Sequence, residues 1–130
     1  MKPKVLVLRT AGTNCEVETA YAFELVGAET ETVHINALRE RRKPFAGIQV
    51  LAIPGGFSYG DDVASGRIFA NELMSALREE VLAFVDGGGY AIGICNGFQV
   101  LVKAGLLPRC EGRPEQVATL THTPAGRYQD

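Results

Sequence analysis

The chain has no tryptophan and only two histidines and three cysteines in 130 residues, and the cysteine usage removes two classes of protein. Cys15, Cys95 and Cys110 are odd in number, far apart and without a C-x-x-C pair, so neither a disulfide framework nor a zinc site is indicated. A reducing, intracellular compartment fits such cysteine usage. No apolar stretch approaches membrane-spanning length, and the run inside "MKPKVLVLRTAG" is too short for a secretory h-region. The expectation is a soluble, cytoplasmic protein. A formal charge of -2 supplies no basic field for nucleic acid. One local basic cluster, Arg39, Arg41, Arg42 and Lys43, reads as a solvated loop or helix end. Neither G-x-x-x-x-G-K-[ST] nor a G-x-G-x-x-G after a strand is present, so a nucleotide site has no motif behind it.

What is present is a composition of 46% hydrophobic and 22% charged residues, enough for one ordinary globular core. We therefore expect a single domain over residues 1–130. "KVLVLR" (Lys4 to Arg9) reads as a buried strand, and "ETVHI", "QVLAI" and "YAIGI" as three more. Thr13 followed by Glu16 has capping-box spacing, and Val17, Ala20, Tyr21, Leu25 and Ala28 recur at helical intervals after it, with Gly27 marking the end. A second helical stripe runs through Phe69, Leu73, Leu77, Val81 and Phe84 between Arg67 and Val85, and Asp86-Gly87-Gly88-Gly89 stops it. Apolar runs alternating with helical patterns predict an α/β protein with a mostly parallel, doubly wound sheet covered on both faces. The last twenty residues offer one strand-like piece, Val117 to Thr121, and then turn residues. For a doubly wound domain that is an early stop, so the expectation is a fold incomplete at its C-terminal end.

In such sheets ligands collect beyond the carboxyl ends of the strands. The loops there are "TAGTNCE", "PGGFSYGDD" and "CNGFQ". The glycines of the second could turn backbone N–H groups toward a developing oxyanion, or could simply turn a surface loop. In the third, "YAIGICNGFQVLVKAG" supports two structures. Asn96-Gly97 between apolar runs is a hairpin signal, with Phe98, Val100 and Val102 alternating behind it. Alternatively the strand turns sharply into a helix with Phe98, Leu101, Val102 and Gly105 on one face, ended by Gly105 and Pro108. The alternation of elements elsewhere favours the strand-to-helix turn, because a hairpin would break the parallel pattern. That turn would hold Cys95 as a nucleophile elbow does, at the positive end of a helix that favours thiolate, with Gly93 and Gly97 relieving the crowding. A cysteine that merely ends a buried strand is the commoner case, and the residues alone leave both open.

"GICNGFQVL", taken with "IPGGFSYGDD" and "GTNCE", resembles the class I (triad) glutamine amidotransferases. "GGFSYGDD" narrows the resemblance to the amidotransferase subunits of phosphoribosylformylglycinamidine synthase. The resemblance implies a flavodoxin-like fold, with Cys95 as the nucleophile that attacks the side-chain amide of glutamine. It implies an oxyanion hole from the N–H groups of Gly56 and Asn96, and a substrate contact from Gln99. It also implies a synthetase subunit as partner, which uses ATP and Mg and receives the ammonia, with no cofactor or metal on this chain. The family's His and Glu come from a segment beyond residue 130, so the resemblance implies a chain inactive by itself. Of the two histidines, His34 falls in an early strand and His122 in the terminal stretch. In "THTPAGRYQD", Thr123 and Ala125 stand where Asn and Ser are usual, and Gln129 where Glu is usual. The alternative expectation is a non-catalytic binding or assembly module of the same fold, which a bare sheet edge would let associate with itself.

Overall fold

The structure, a computed structural model, describes residues 1–56, 65–109, 115–121 and 124–126. Its elements run β1 (Lys4–Arg9), α1 (Glu16–Leu25), β2 (Glu29–His34), α2 (Ile35–Arg39), β3 (Val50–Ile53), α3 (Ser65–Asp86), β4 (Tyr90–Gly93) and α4 (Asn96–Lys103). The four strands form one parallel sheet in the order β2-β1-β3-β4, with Val5 opposite Thr30 and Val50, and Ala52 opposite Ile92. This is the flavodoxin-like order, in which the chain reverses its winding direction between β1 and β3.

Alternation along the strands sends side chains to two unequal cores. Leu6, Leu8, Leu51 and Ile53 face α2, α3 and α4, where Ile35, Leu38, Phe69, Leu73, Leu77, Val81, Val100 and Leu101 are buried with them. Val5, Val7 and Ala52 face the other way, against Ala20 and Phe23 of α1. The long stripe expected between Arg67 and Val85 is therefore the main packing face of α3, with a local departure from helical dihedrals at Leu77. Gly88, at a φ of 91°, ends that helix: its N–H donates to the carbonyl of Val85 and that of Gly89 to Phe84, which closes the last turn.

The short helix departs from its sequence pattern in three ways. Its N-cap is Cys15 without a side-chain cap bond, so Thr13 and Glu16 make no capping box. Thr13 is used elsewhere: its Oγ1 accepts from the N–H of Thr10, and its backbone bridges Gly56. Val17, Tyr21 and Leu25 are 72%, 61% and 67% exposed, while Thr19 is buried. The face that turns inward is that of Thr19, Ala20 and Phe23: Thr19 donates its hydroxyl to the carbonyl of Cys15 at 2.7 Å, and Ala20 and Phe23 pack against the small core of the sheet. Ala28 belongs to the turn into β2, beyond Gly27, whose φ of 89° suits a helix end.

Other boundaries shift by a residue or more. Ile35 opens α2, a helix the sequence pattern did not suggest, with the imidazole of His34 accepting from the N–H of Asn36. Residues 115–121 contain no strand; Lys103 donates instead to the hydroxyl of Thr119 at 2.5 Å. In the basic cluster, Arg41 pairs with Glu31 at 2.5 Å, and that hydrogen bond holds the Glu31 carboxyl below its ordinary range. The sheet is covered unequally as well. Tyr90 and Ile92 share the face of Val50 and Ala52, beyond the reach of α1, and are 73% and 41% exposed. Among the described residues no helix is long and apolar enough to cross a membrane, and no group of three His, Cys, Asp or Glu side chains could hold a metal ion.

This distribution of burial sets stabilities apart. Leu73→Ala, at a fully buried position, should cost about 2–5 kcal/mol in urea unfolding. Val17→Ala, from the stripe that faces solvent, should stay within about 0.5 kcal/mol of the parent.

Candidate functional site around the Cys95 elbow

The chain turns from β4 into α4 at Cys95, and no hairpin forms. The elbow is built from hydrogen bonds at the strand end and a close approach at the helix start. Ile94 continues the register with an N–H donated to the carbonyl of Ile53 at 3.1 Å. Gly97 then donates to the carbonyl of Ile94 at 2.9 Å, and Gln99 to that of Cys95 at 3.2 Å. Between them Cys95 takes a φ of 54° and a ψ of -109°. It is the one described residue other than glycine with a positive φ, a conformation that surrounding structure must impose on a side-chain-bearing residue.

Two glycines make this turn sterically feasible. A Cβ at Gly97 would run into the carbonyl group of Ile53, with the carbonyl carbon 2.7 Å away. One at Gly93 would meet the backbone of Gly97 and stand 2.7 Å from the nitrogen of Phe98. The helix thus starts directly on top of β3 and β4, nearer than any side chain would allow. Its buried face is Val100, Leu101 and Ala104, with Val102 also covered. Phe98, expected inside, is 42% exposed because the elbow rotates the first turn outward.

The sequence-derived site residues converge here. Cys95 is exposed, Asn96 is 4% exposed at the first position of α4, and Gln99 is half-buried one turn on. Asn96 Nδ2 reaches Gln99 Oε1 at 3.5 Å. Gln99 also lies against Gly66 of α3, whose missing side chain leaves it room: a Cβ there would be 3.0 Å from Gln99 Cβ. The loop after β3 comes in from the other side. A Cβ at Gly55 would lie 3.1 Å from the carbonyl oxygen of Ile94 and 3.3 Å from Cys95 Cβ, and Gly56 follows with a φ of 116°. Residues 57–62 of "GGFSYGDD", together with Cys110, His122, Thr123 and Gln129, lie outside the described residues.

A cleft of about 470 Å³ opens beside the thiol, lined by Cys15, Glu18, Thr19, Ala22, Gly55, Gly56, Ile94 and Cys95. Sequence reasoning missed the α1 side of this cleft. It had placed "TAGTNCE" among the loops at the ligand end of the sheet, and that position was the available signal. His34 does not join the site. It ends β2, on the edge opposite β4, and three strand spacings put it roughly 14 Å from the elbow.

The close approach at Gly97 yields a direct test. Gly97→Ala should lower stability by at least about 2 kcal/mol in urea unfolding, since the obstructing atoms are backbone of a central strand and cannot swing away.

Residues 2–130 match the model of the CobB/CobQ-like glutamine amidotransferase domain family. The chain is 52% identical over 128 residues to phosphoribosylformylglycinamidine synthase subunit PurQ of Dehalococcoides mccartyi, covering 98% of this chain and 50% of that protein. It is 45% identical over 131 residues to the subunit of the same name from Methanococcus maripaludis, with 99% and 48% covered. Among solved structures, a chain in the structure of PurLQS from Thermotoga maritima superimposes with a TM-score of 0.68 at 33% identity, covering 82% of this chain and 46% of that one. The chain thus spans about half the length of the curated relatives it matches. With its matched residues running from the first strand through the Cys95 elbow, this chain belongs to the CobB/CobQ-like glutamine amidotransferase family.

Proposed function

We propose that residues 1–130 form a single amidotransferase-like domain that carries the thiol part of a glutamine-hydrolysing site. Its reaction serves phosphoribosylformylglycinamidine synthase, supplying ammonia to turn formylglycinamide ribonucleotide into formylglycinamidine ribonucleotide in cytoplasmic purine biosynthesis. The observation that carries this reading is the backbone of Cys95, held at a φ of 54° on a strand-to-helix turn with Gly55 packed against its Cβ. The names of the relatives and the PurLQS structure support the identity of the synthase.

In this reaction the Cys95 sulfur attacks the carboxamide carbon of glutamine, and the C=O electron pair moves onto oxygen. The N–H groups of Gly56 and Asn96 receive that oxyanion, each donor contributing roughly 10²–10³ in rate. Collapse breaks the C–N bond, the leaving nitrogen takes a proton and departs as ammonia, and a γ-glutamyl thioester remains. Water then hydrolyses the thioester to glutamate and restores the thiol. Gln99 helps hold the glutamine. The ammonia passes to a separate synthetase subunit, which uses ATP and Mg; this chain itself needs no cofactor.

Cys95 needs a base, and the two histidines of these 130 residues are His34 and His122. His34 is across the sheet, with Nδ1 already accepting from Asn36. The 130-residue chain by itself should therefore release ammonia from glutamine at a rate about 10⁴–10⁶ below that of a complete triad enzyme. Steady turnover abolished by Cys95→Ala would overturn that expectation. The nucleophile assignment has its own test. A diazo-ketone analogue of glutamine should label Cys95 in preference to Cys15 and Cys110; labelling spread evenly over the three would sink the assignment.

A second reading, a non-catalytic binding or assembly module, is favoured by β4. Among the described residues this strand pairs only with β3, and Tyr90, Ile92 and Ile94 stand exposed along it without a Lys or Pro to guard the edge. Self-association through that edge should give a solution mass that rises with concentration. A chain that stays monomeric throughout would exclude it.

A further inference from the structure

We infer that Thr13 and Asn14, in the loop after β1, are positioning residues that hold the Gly56 peptide beside the Cys95 elbow. The inference rests on the reading above in one respect only, that Gly56 is an oxyanion donor.

Gly56 has a φ of 116°, which side-chain-bearing residues rarely adopt and which a loop keeps only where its neighbours over-determine it. Those neighbours come from the β1 loop. Thr13 forms an isolated antiparallel bridge with Gly56, outside the parallel ladders of the sheet. Asn14 fills the space that a side chain at position 56 would take: a Cβ there would stand 3.0 Å from Asn14 N and 3.1 Å from Asn14 Cγ, and would collide with Oδ1.

The loop is itself anchored on both sides of the sheet. The N–H of Thr10 donates to Thr13 Oγ1 at 3.1 Å, and the N–H of Thr13 donates back to the carbonyl of Thr10 at 3.2 Å. Thr10 is 2% exposed, and its hydroxyl donates to Glu72 Oε2 of α3 at 3.3 Å. On the α1 side, the carbonyl of Cys15 accepts from both the N–H and the hydroxyl of Thr19. The loop therefore has little freedom of its own, and among the described residues its tip meets Gly56. The chemical benefit is preorganisation. An oxyanion donor stabilises a transition state only if it is already aimed when charge develops, and a displacement of about 1 Å can cost on the order of 10² in rate.

The test uses the 130-residue chain labelled with ¹⁵N, comparing the parent with Thr13→Val, Thr13→Ser, Asn14→Ser and Arg41→Ala. The Gly56 amide resonance should shift, and its hydrogen exchange accelerate, in Thr13→Val and Asn14→Ser. It should stay in place in Thr13→Ser, which keeps the acceptor oxygen, and in Arg41→Ala, on the far side of the sheet. An unmoved Gly56 amide in both of the first two variants overturns the inference. Reactivity of Cys95 provides the second measurement. With the diazo-ketone analogue of glutamine, sulfur bonds to the diazo carbon, which takes up the thiol proton while its bond to nitrogen breaks and N₂ leaves. That ketone oxygen occupies the oxyanion position, so labelling should fall about 10–100-fold in Thr13→Val and Asn14→Ser. Alkylation by iodoacetamide, which uses the thiol without those donors, should not change. An equal fall with both reagents would indicate a damaged elbow and overturn the positioning role. A parent chain that the diazo-ketone does not label, combined with a shifted Gly56 amide, would retain Thr13 and Asn14 as the support of that peptide and count against Gly56 as an oxyanion donor in this chain.

Discussion

The absence of a side chain at Gly97 is the constraint on which the site depends. With only a hydrogen where a Cβ would meet the carbonyl of Ile53, the first turn of α4 can sit directly on the carboxyl ends of β3 and β4. That contact bends the chain at Cys95 into a φ of 54°, which puts its thiol at the rim of the sheet and leaves Asn96 buried beneath the turn. The local conformational cost of such a dihedral is of order 1–3 kcal/mol, and it must be offset by the packing around it. Val100 and Leu101 supply that packing, locked into the same core as Leu51, Ile53 and Leu73. The elbow is thus strained locally and anchored by a core built from distant parts of the sequence.

The sheet's two faces divide the work. The α3 and α4 side carries most of the large buried side chains and fixes the elbow. The α1 side has a small core of Val5, Val7, Ala28 and Ala52, and there the cleft beside Cys95 opens between α1 and Ile94. A helix seated through Thr19, Ala20 and Phe23 brings Cys15, Glu18 and Ala22 to that cleft, and leaves Val17, Tyr21 and Leu25 in solvent. Among the described residues the same seating leaves Tyr90 and Ile92 of the outer strand exposed, since one ten-residue helix cannot cover four strands. Openness on this side is the physical basis of both functional readings: access to the thiol, and a surface for association.

Much of this was legible in the sequence, in proportion to how local the signal was. "KVLVLR" became β1 over the same six residues, and the stripe from Phe69 to Val81 became the buried face of α3, because continuous or strongly periodic apolar patterns leave few alternatives. Gly93 and Gly97 were readable as relief for a tight turn, and the structure places them there. Thr13 and Glu16 had the spacing of a capping box, yet Thr13 was taken by Thr10 and Gly56, partners that only the folded chain brings near. The stripe through Val17, Tyr21 and Leu25 failed for a related reason: on a weakly amphipathic helix, periodicity defines faces but does not choose which one turns inward.

By itself the sequence determined the four strands, the stretches that became α1 and α3, and the place of Cys95 just beyond β4, because hydrophobic period, glycine placement and short motifs act within a few residues of one another. Only the tertiary structure decided which face of α1 was buried, that among the described residues β4 pairs only with β3, and that Thr13 and Asn14 would meet Gly56. The last of these joins segments more than forty residues apart, and the first sets α1 against β1 and β3. There the competing arrangements differ by packing and hydrogen bonding across the sheet, which no local pattern encodes.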